Sequence, residues 1–114
     1  MAIMTFNLIH GFKAGEETHF EVALKELTSK DVIDAQMASE KVAVVEGKAV
    51  AYTSDVLMGL ELMRRQVESI GTFKGPLSVK DLCRLHPDDL SALQKKSEEL
   101  DNLLAEELAT RGRS

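Results

Sequence analysis

Tryptophan is absent from this chain, and only 4% of its 114 residues are aromatic. Any core must therefore be assembled from Leu, Val, Ile, Met and Ala. Cys83 is the single cysteine, which rules out an intrachain disulfide and suits a reducing compartment. Its apolar neighbours Leu82 and Leu85 predict a buried thiol rather than a reactive one. A basic face is missing as well. Against 19 acidic residues there are 14 basic ones, for a net charge of -5, and only the segment 51–84 carries a slight positive excess. A duplex-binding protein needs the opposite balance, so nucleic acid is not an expected partner. No stretch approaches the roughly 20 apolar residues of a membrane span. The opening MAIMTFNLIH lacks the basic segment of a signal peptide. These absences predict a cytosolic protein with no membrane contact.

What is present fits one domain spanning 1–114, able to bury about two-thirds of its unfolded surface. In MTFNLIH, Met4, Phe6 and Leu8 alternate with polar residues. In THFEVALKEL, Phe20, Val22 and Leu24 do the same. Period two means one dry and one wet strand face, and GFKAGEE between them supplies the glycines of a turn. Residues 1–27 are therefore expected to form a β-hairpin. Thr28 and Asp31 resemble a capping box opening a helix with Val32, Ile33, Ala35, Met37 and Ala38 on its apolar side. The stretch 42–52 reads either as a small hairpin or as a loop. Ser54 is a good N-cap for SDVLMGLELMRRQVESI, where Val56, Leu60, Met63, Val67 and Ile70 form one helical stripe ending at Gly71. Glu61–Arg65 and Arg64–Glu68 read as surface pairs on its wet side.

The segment RRQVESIGTFKGPLS tests for phosphate chemistry. A phosphate-cradling loop needs Gly-x4-Gly-Lys-Ser/Thr after a strand. Here three residues separate Gly71 from Gly75, and Pro76 stands where the pattern needs Lys, so the segment reads as a joint between helices. Ser78 and Asp81 cap a short helix. His86 then precedes Pro87, which opens a helix of about 24 residues, roughly 36 Å long. Its apolar line is Leu90, Leu93, Leu100 and Leu104, with Ser97 at the missing heptad position and Leu103 and Leu108 beside it. Either it folds back on its own domain or its later half meets another chain. The whole predicts an α+β fold: an N-terminal β-hairpin, a mainly helical region over 28–110 with a long C-terminal helix, and a tail over 111–114.

Catalytic signals are lacking. His10, His19 and His86 have no metal-ligand spacing; His10 and His19, near enough in the hairpin to approach each other across it, read as a pair of surface hairpin residues. The carboxylate pairs Glu16-Glu17, Asp88-Asp89, Glu98-Glu99 and Glu106-Glu107 read as solvated turns and helix faces, not as acid–base partners. No nucleophile elbow or glycine fingerprint is present. The expectation is a non-enzymatic protein with no cofactor and no metal.

From about Phe20 to Arg113 the chain resembles the tail assembly chaperones of Mu-like phages and prophages. The resemblance rests on FEVALKELTSKDVIDAQMASEKV and on LMGLELMRRQVESIGTFKGPLSVKDLCRLHPDDLSALQKKSEELDNLLAEELATRGR. Its most specific parts are the RRQVESIG…GPLS joint and the DLSALQ helix start. The resemblance implies a protein that binds the long, apolar, helical tape-measure protein and keeps it soluble in the host cytoplasm while the tail tube assembles. It also implies absence from the finished virion, and possible partners in a frameshift-extended form of the chain and the tail tube protein. The alternative is a structural tail or head–tail connector protein kept in the virion. Two long amphipathic helices and an acidic balance agree with helix binding, with self-association expected. The candidate contacts to the tape-measure protein or a neighbouring copy are Met58, Leu100, Leu103, Leu104 and Leu108.

Overall fold

The computed structural model describes the backbone of residues 3–112 and the side chains of residues 3–106. The elements run β1 (Met4–Ala14), β2 (Glu17–Leu24), α1 (Ser29–Ala38), β3 (Glu40–Val45), β4 (Lys48–Thr53), α2 (Asp55–Gln66), β5 (Val67–Ile70), β6 (Phe73–Lys74), α3 (Val79–Cys83) and α4 (Pro87–Gly112). β1, β2, β5 and β6 form an antiparallel sheet in the order β1-β2-β5-β6, and β3 and β4 form a separate two-stranded ribbon. The fold is α+β with the N-terminal hairpin and long last helix that the pattern predicts. The segment 42–52, open between hairpin and loop, is a hairpin.

The sheet is dry on one side only. Phe6 stands opposite Val22 and Met4 opposite Leu24, so the alternating residues of both strands share the inner face. Leu8, Val22, Leu24, Val67 and Ile70 meet Met63, Leu77, Leu82, Leu85, Leu93 and Leu100 in one core. Phe20 departs from the pattern and is largely exposed. The turn is tighter than GFKAGEE suggests. β1 continues to Ala14, which puts Phe12 in the core at 2% exposure, with Phe73 tilted against it and the Arg84 guanidinium over its ring.

β1 carries a large irregularity. Asn7 pairs with Glu21 and Phe12 with His19, so four residues, Leu8 to Gly11, stand opposite Phe20 alone. Their backbone groups have left the ladder and need other partners. Asp89, in the first turn of α4, provides them. Its carboxylate accepts from the N–H of Ile9 (2.7 Å), His10 (2.9 Å) and Gly11 (3.0 Å). The side chain is fully buried. This corrects the reading of Asp88-Asp89 as a solvated pair: Asp88 is exposed, Asp89 is a structural anion. Gly11 adopts φ 91, a conformation that a side chain would strain.

α2 is shorter than the stripe implies. It ends at Gln66, and Val67–Ile70 is strand β5, paired with β2. The stretch from Val67 to Lys74 is thus a hairpin of the main sheet, not a helix–helix joint. Gly71 has the positive φ expected of it, but in the hairpin turn. Gly75 lies so close to the carbonyl oxygen of Val67 that a Cβ would collide with it. Val67 and Ile70 keep helical spacing yet are both buried, because the β2–β5 register shifts between Ala23 and Leu24. Val56, the first residue of the stripe, is 77% exposed.

Glu61 also departs from expectation. It is buried, with its carboxylate bound to Arg65 and, at 2.7 Å, to Arg64, while Arg64 donates to the Leu77 carbonyl at 3.0 Å. The pair ties the end of α2 to the segment before α3. Cys83 is exposed, contrary to the buried thiol that its neighbours suggest. Leu82 and Leu85 are buried, but Cys83, the last residue of the one-turn helix α3, points outward. The predicted caps are present: Thr28/Asp31 and Ser78/Asp81 are full capping boxes, and Ser54 caps α2.

Asp89→Asn keeps the side-chain volume but removes the charge and one acceptor oxygen. It should lower stability by about 2–3 kcal/mol, read from urea unfolding. Acid should act separately. Backbone hydrogen bonds from Thr28 and Ser78 hold Asp31 and Asp81 below their ordinary carboxyl range. Burial pushes Glu61 up, but its bonds from Arg65 and Arg64 outweigh this and leave it lowered. A lowered carboxyl stabilises the fold above its unfolded pKa and loses that contribution as pH falls through the folded value. Urea midpoints from these three groups should therefore be flat above about pH 5 and fall steadily below about pH 4.

Candidate functional site

A concavity lies between α2 and α4. Its volume is about 490 Å³, and it is an open groove rather than an enclosed cavity. Ser54 starts α2 by accepting from the Leu57 N–H, and the Asp89 anchor fixes where α4 starts. The two helices diverge enough to leave Leu60 and Leu90 only partly covered and Val56 exposed. Leu27, Leu60, Leu62 and Leu90 make the apolar lining, with Val56 and Gly59 along α2 and the core residue Met63 behind them. Three acidic residues, Asp55, Glu98 and Asp101, line the same groove, and among the described residues no basic one does. The lining therefore has an apolar strip with negative charge around it.

One end is closed by a polar link. The Ser97 hydroxyl donates to Gln66 Oε1, and Gln66 Nε2 donates to Asp101 Oδ1 at 3.4 Å. Gln66 is buried and its backbone carbonyl accepts from Lys25. Ser97 breaks the leucine line of α4 because this position meets the end of α2, where the polar Gln66 needs a partner. Gly59 is unusual as a mid-helix residue, since glycine weakens a helix by about 1 kcal/mol relative to alanine. Nothing lies within 4 Å of where its Cβ would be. Its smallness therefore serves no internal packing and leaves space on the groove.

The structure distributes the sequence-predicted contact residues differently. Leu100 is buried, at 1% exposure, and holds α4 to the core; Leu104 packs partly against the same core. Leu103 is exposed on the outer side of α4. Met58 lies towards α1, its sulfur accepting from the Ser39 hydroxyl at 3.6 Å. The side chain of Leu108 lies outside the described residues. None of the four described residues lines the groove. Leu60, Met63 and Leu90 belong to stripes that the sequence displays. The signal that separates groove from core is Gly59, which interrupts the apolar side of α2 without any turn chemistry.

A second cluster sits at the start of α4. His10 stacks on His86 with ring centroids 3.6 Å apart, so its partner is not His19. His86 does cap the helix: its Nδ1 accepts from the Asp88 N–H at 3.1 Å. His10 Nε2 lies 3.2 Å from Asp88 Oδ2. Ligand atoms of His10, His86 and Asp88 fall within 4.8 Å of one another, all three residues exposed. The ring planes are only 18° from parallel. Ring lone pairs lie in plane, so the two rings aim side by side rather than at one point. The cluster reads as a packed cap. No described helix is long and apolar enough to cross a membrane.

A family model described as tail assembly protein gp41 matches residues 8–113. The Mu-like prophage FluMu protein gp41 of Haemophilus influenzae is 39% identical over 111 residues, which cover 96% of this chain and 87% of that protein. The probable tail assembly protein gp41 of Escherichia phage Mu is 42% identical over 105 residues, covering 90% and 73%. The probable tail assembly protein FS-gp41 of the same phage is 41% identical over 99 residues, covering 85% of this chain and 53% of that protein. No solved structure matches the chain.

Gly59→Ala should raise the stability of the isolated domain by about 0.5–1 kcal/mol, since the methyl meets open space and α2 gains propensity. Thermal unfolding followed by circular dichroism measures it.

Proposed function

The chain belongs to the gp41 tail assembly protein family found in phage Mu and a Mu-like prophage, and from that membership we propose that it is a tail assembly chaperone for the tape-measure protein. It acts in the host cytoplasm without catalysis, holding apolar helical segments of that protein in solution while the tail tube forms, and it leaves before the particle is complete. The observation that carries this reading is the open apolar groove between α2 and α4. A groove of this kind takes one face of an amphipathic helix. The acidic residues Asp55, Glu98 and Asp101 around it favour a partner whose apolar stripe is flanked by Lys or Arg. Many weak sites along one long partner would gain by multivalency. The longer Mu relative, of which this chain covers about half, supports the further reading that an extended form shares this domain and joins the same assembly.

The test is co-expression with the large helical protein encoded next to it. Soluble recovery of that protein should rise several-fold with the wild-type chain, and the two should co-purify. Val56→Glu and Gly59→Leu alter exposed groove positions and should leave the fold intact. Each should weaken the complex by about 30-fold or more, the size of one interface hot spot, and the complex should weaken with salt. Recovery that ignores both variants would remove the groove from the mechanism. Finding the chain in purified virions would favour a structural tail or connector protein instead.

A further inference from the structure

The β3–β4 ribbon lies outside the main sheet, and almost none of it is covered. Eleven of its twelve strand residues are exposed; only Ala43 is half-buried. Both faces are apolar at their centre, with Glu40 at the base of one and Lys41 and Lys48 at the two ends of the other. The cross-strand pairs Val42–Ala51 and Val44–Ala49 lie on one face, and Ala43–Val50 with Val45 and Tyr52 on the other. Val42 and Val44 are 71% and 75% exposed. An isolated two-stranded ribbon is marginal in water and becomes stable with a third strand or a cover. The main sheet supplies neither.

The free edge of β4 specifies what kind of cover fits. Glu46 and Gly47 have φ 51 and 78, a two-residue type I′ turn. It makes Val45 and Lys48 a mutually hydrogen-bonded pair, and the bonding alternates from there. Lys48, Val50 and Tyr52 therefore direct their backbone groups to β3. Ala49, Ala51 and Thr53 direct theirs outward. Edge strands normally carry a proline, a bulge or a charge that blocks further pairing. Ala49–Thr53 has no proline or charge, and its register with β3 is unbroken.

This edge is complementary to itself. Antiparallel pairing of β4 with β4 of a second copy, about Ala51, sets Val50 opposite Tyr52 of that copy on both sides of the axis. Such β-branched–aromatic pairs stabilise a sheet, and no like charges face each other. On the β3 edge, the two-fold register that pairs Val42 with Val44 would bring Glu40 opposite Glu46 of the other copy. Charge favours the same occupant. Residues 40–53 hold Glu40, Glu46, Lys41 and Lys48, a net charge of zero in a chain of -5. The ribbon is where two acidic copies can meet without repulsion.

We propose that the β3–β4 ribbon is a dimerisation element, joining two copies edge to edge through β4 into one four-stranded antiparallel sheet across a two-fold axis. The arrangement is isologous, so the same patch serves both partners. It does not depend on the nature of the groove's ligand.

Sedimentation equilibrium of the full chain, with no other protein present, is the test. The wild type should show a concentration-dependent monomer–dimer equilibrium. A Val50→Lys/Tyr52→Lys variant sets lysines opposite lysines, and a Val50→Glu/Tyr52→Glu variant sets glutamates opposite glutamates. Each alone should weaken the dimer by about 30-fold or more, while an equimolar mixture should restore it as a heterodimer. These residues are exposed, and circular dichroism should show the rest of the fold unchanged. A wild type that stays monomeric at millimolar concentration overturns the proposal. So does a dimer that both charge variants form as readily as the wild type, which would place the contact elsewhere.

Discussion

The buried carboxylate of Asp89 is the contact on which the arrangement of the helices depends. β1 gains three residues over its partner strand, and the freed backbone donors sit against the core side of the molecule. Left unpaired, such groups cost free energy comparable to a lost hydrogen bond each. One side chain from the first turn of α4 answers three of them. That fixes the start of a 26-residue helix against an irregular strand. The stacked rings of His10 and His86 close over the same joint. From this anchored end, Leu93, Leu100 and the Ser97–Gln66 link lay the helix along the core. The spacing between α4 and α2 follows from these contacts, and with it the groove.

Local chemistry was legible in the sequence where a residue acts on its own neighbours. Thr28, Ser54 and Ser78 cap the helices they were expected to cap, and the period-two residues Met4, Phe6, Leu8, Val22 and Leu24 face inward. What could not be read depends on contacts between distant segments. Val67 and Ile70 satisfy a helical stripe as well as they satisfy a short strand, and only the pairing with β2 selects the strand. Asp89 is indistinguishable from Asp88 until the irregularity in β1 is known. The flanks of Cys83 are apolar and buried, but Leu82 and Leu85 are three residues apart on one side of a helical turn, and Cys83, about 100° round from Leu82, faces away from it. The groove was the least legible feature. Leu60 and Leu90 look like core residues, and their exposure follows from how far apart two helices are held. The leucines of α4 that looked free, Leu100 and Leu104, are those that the core uses.

The outline of the molecule fits this division of labour. Its radius of gyration is 16.3 Å, against about 13 Å for a compact chain of this length. The sheet, α3 and α4 as far as Leu100 concentrate the buried leucines, while the ribbon is almost wholly exposed. A chain whose role ended at folding would gain by covering Val42, Val44 and Val56.

The base of the ribbon has a mechanical consequence. The Ser54 N–H donates to the Ser39 carbonyl at 3.0 Å, and the Ser54 hydroxyl starts α2. One residue is therefore the last rung of the ribbon and the first of the helix, with no slack between them. Asp55 and Val56 follow at once and line the groove. The ribbon is in effect a lever arm fixed to the start of α2. A torque applied at its tip reaches the mouth of the groove through a single backbone step.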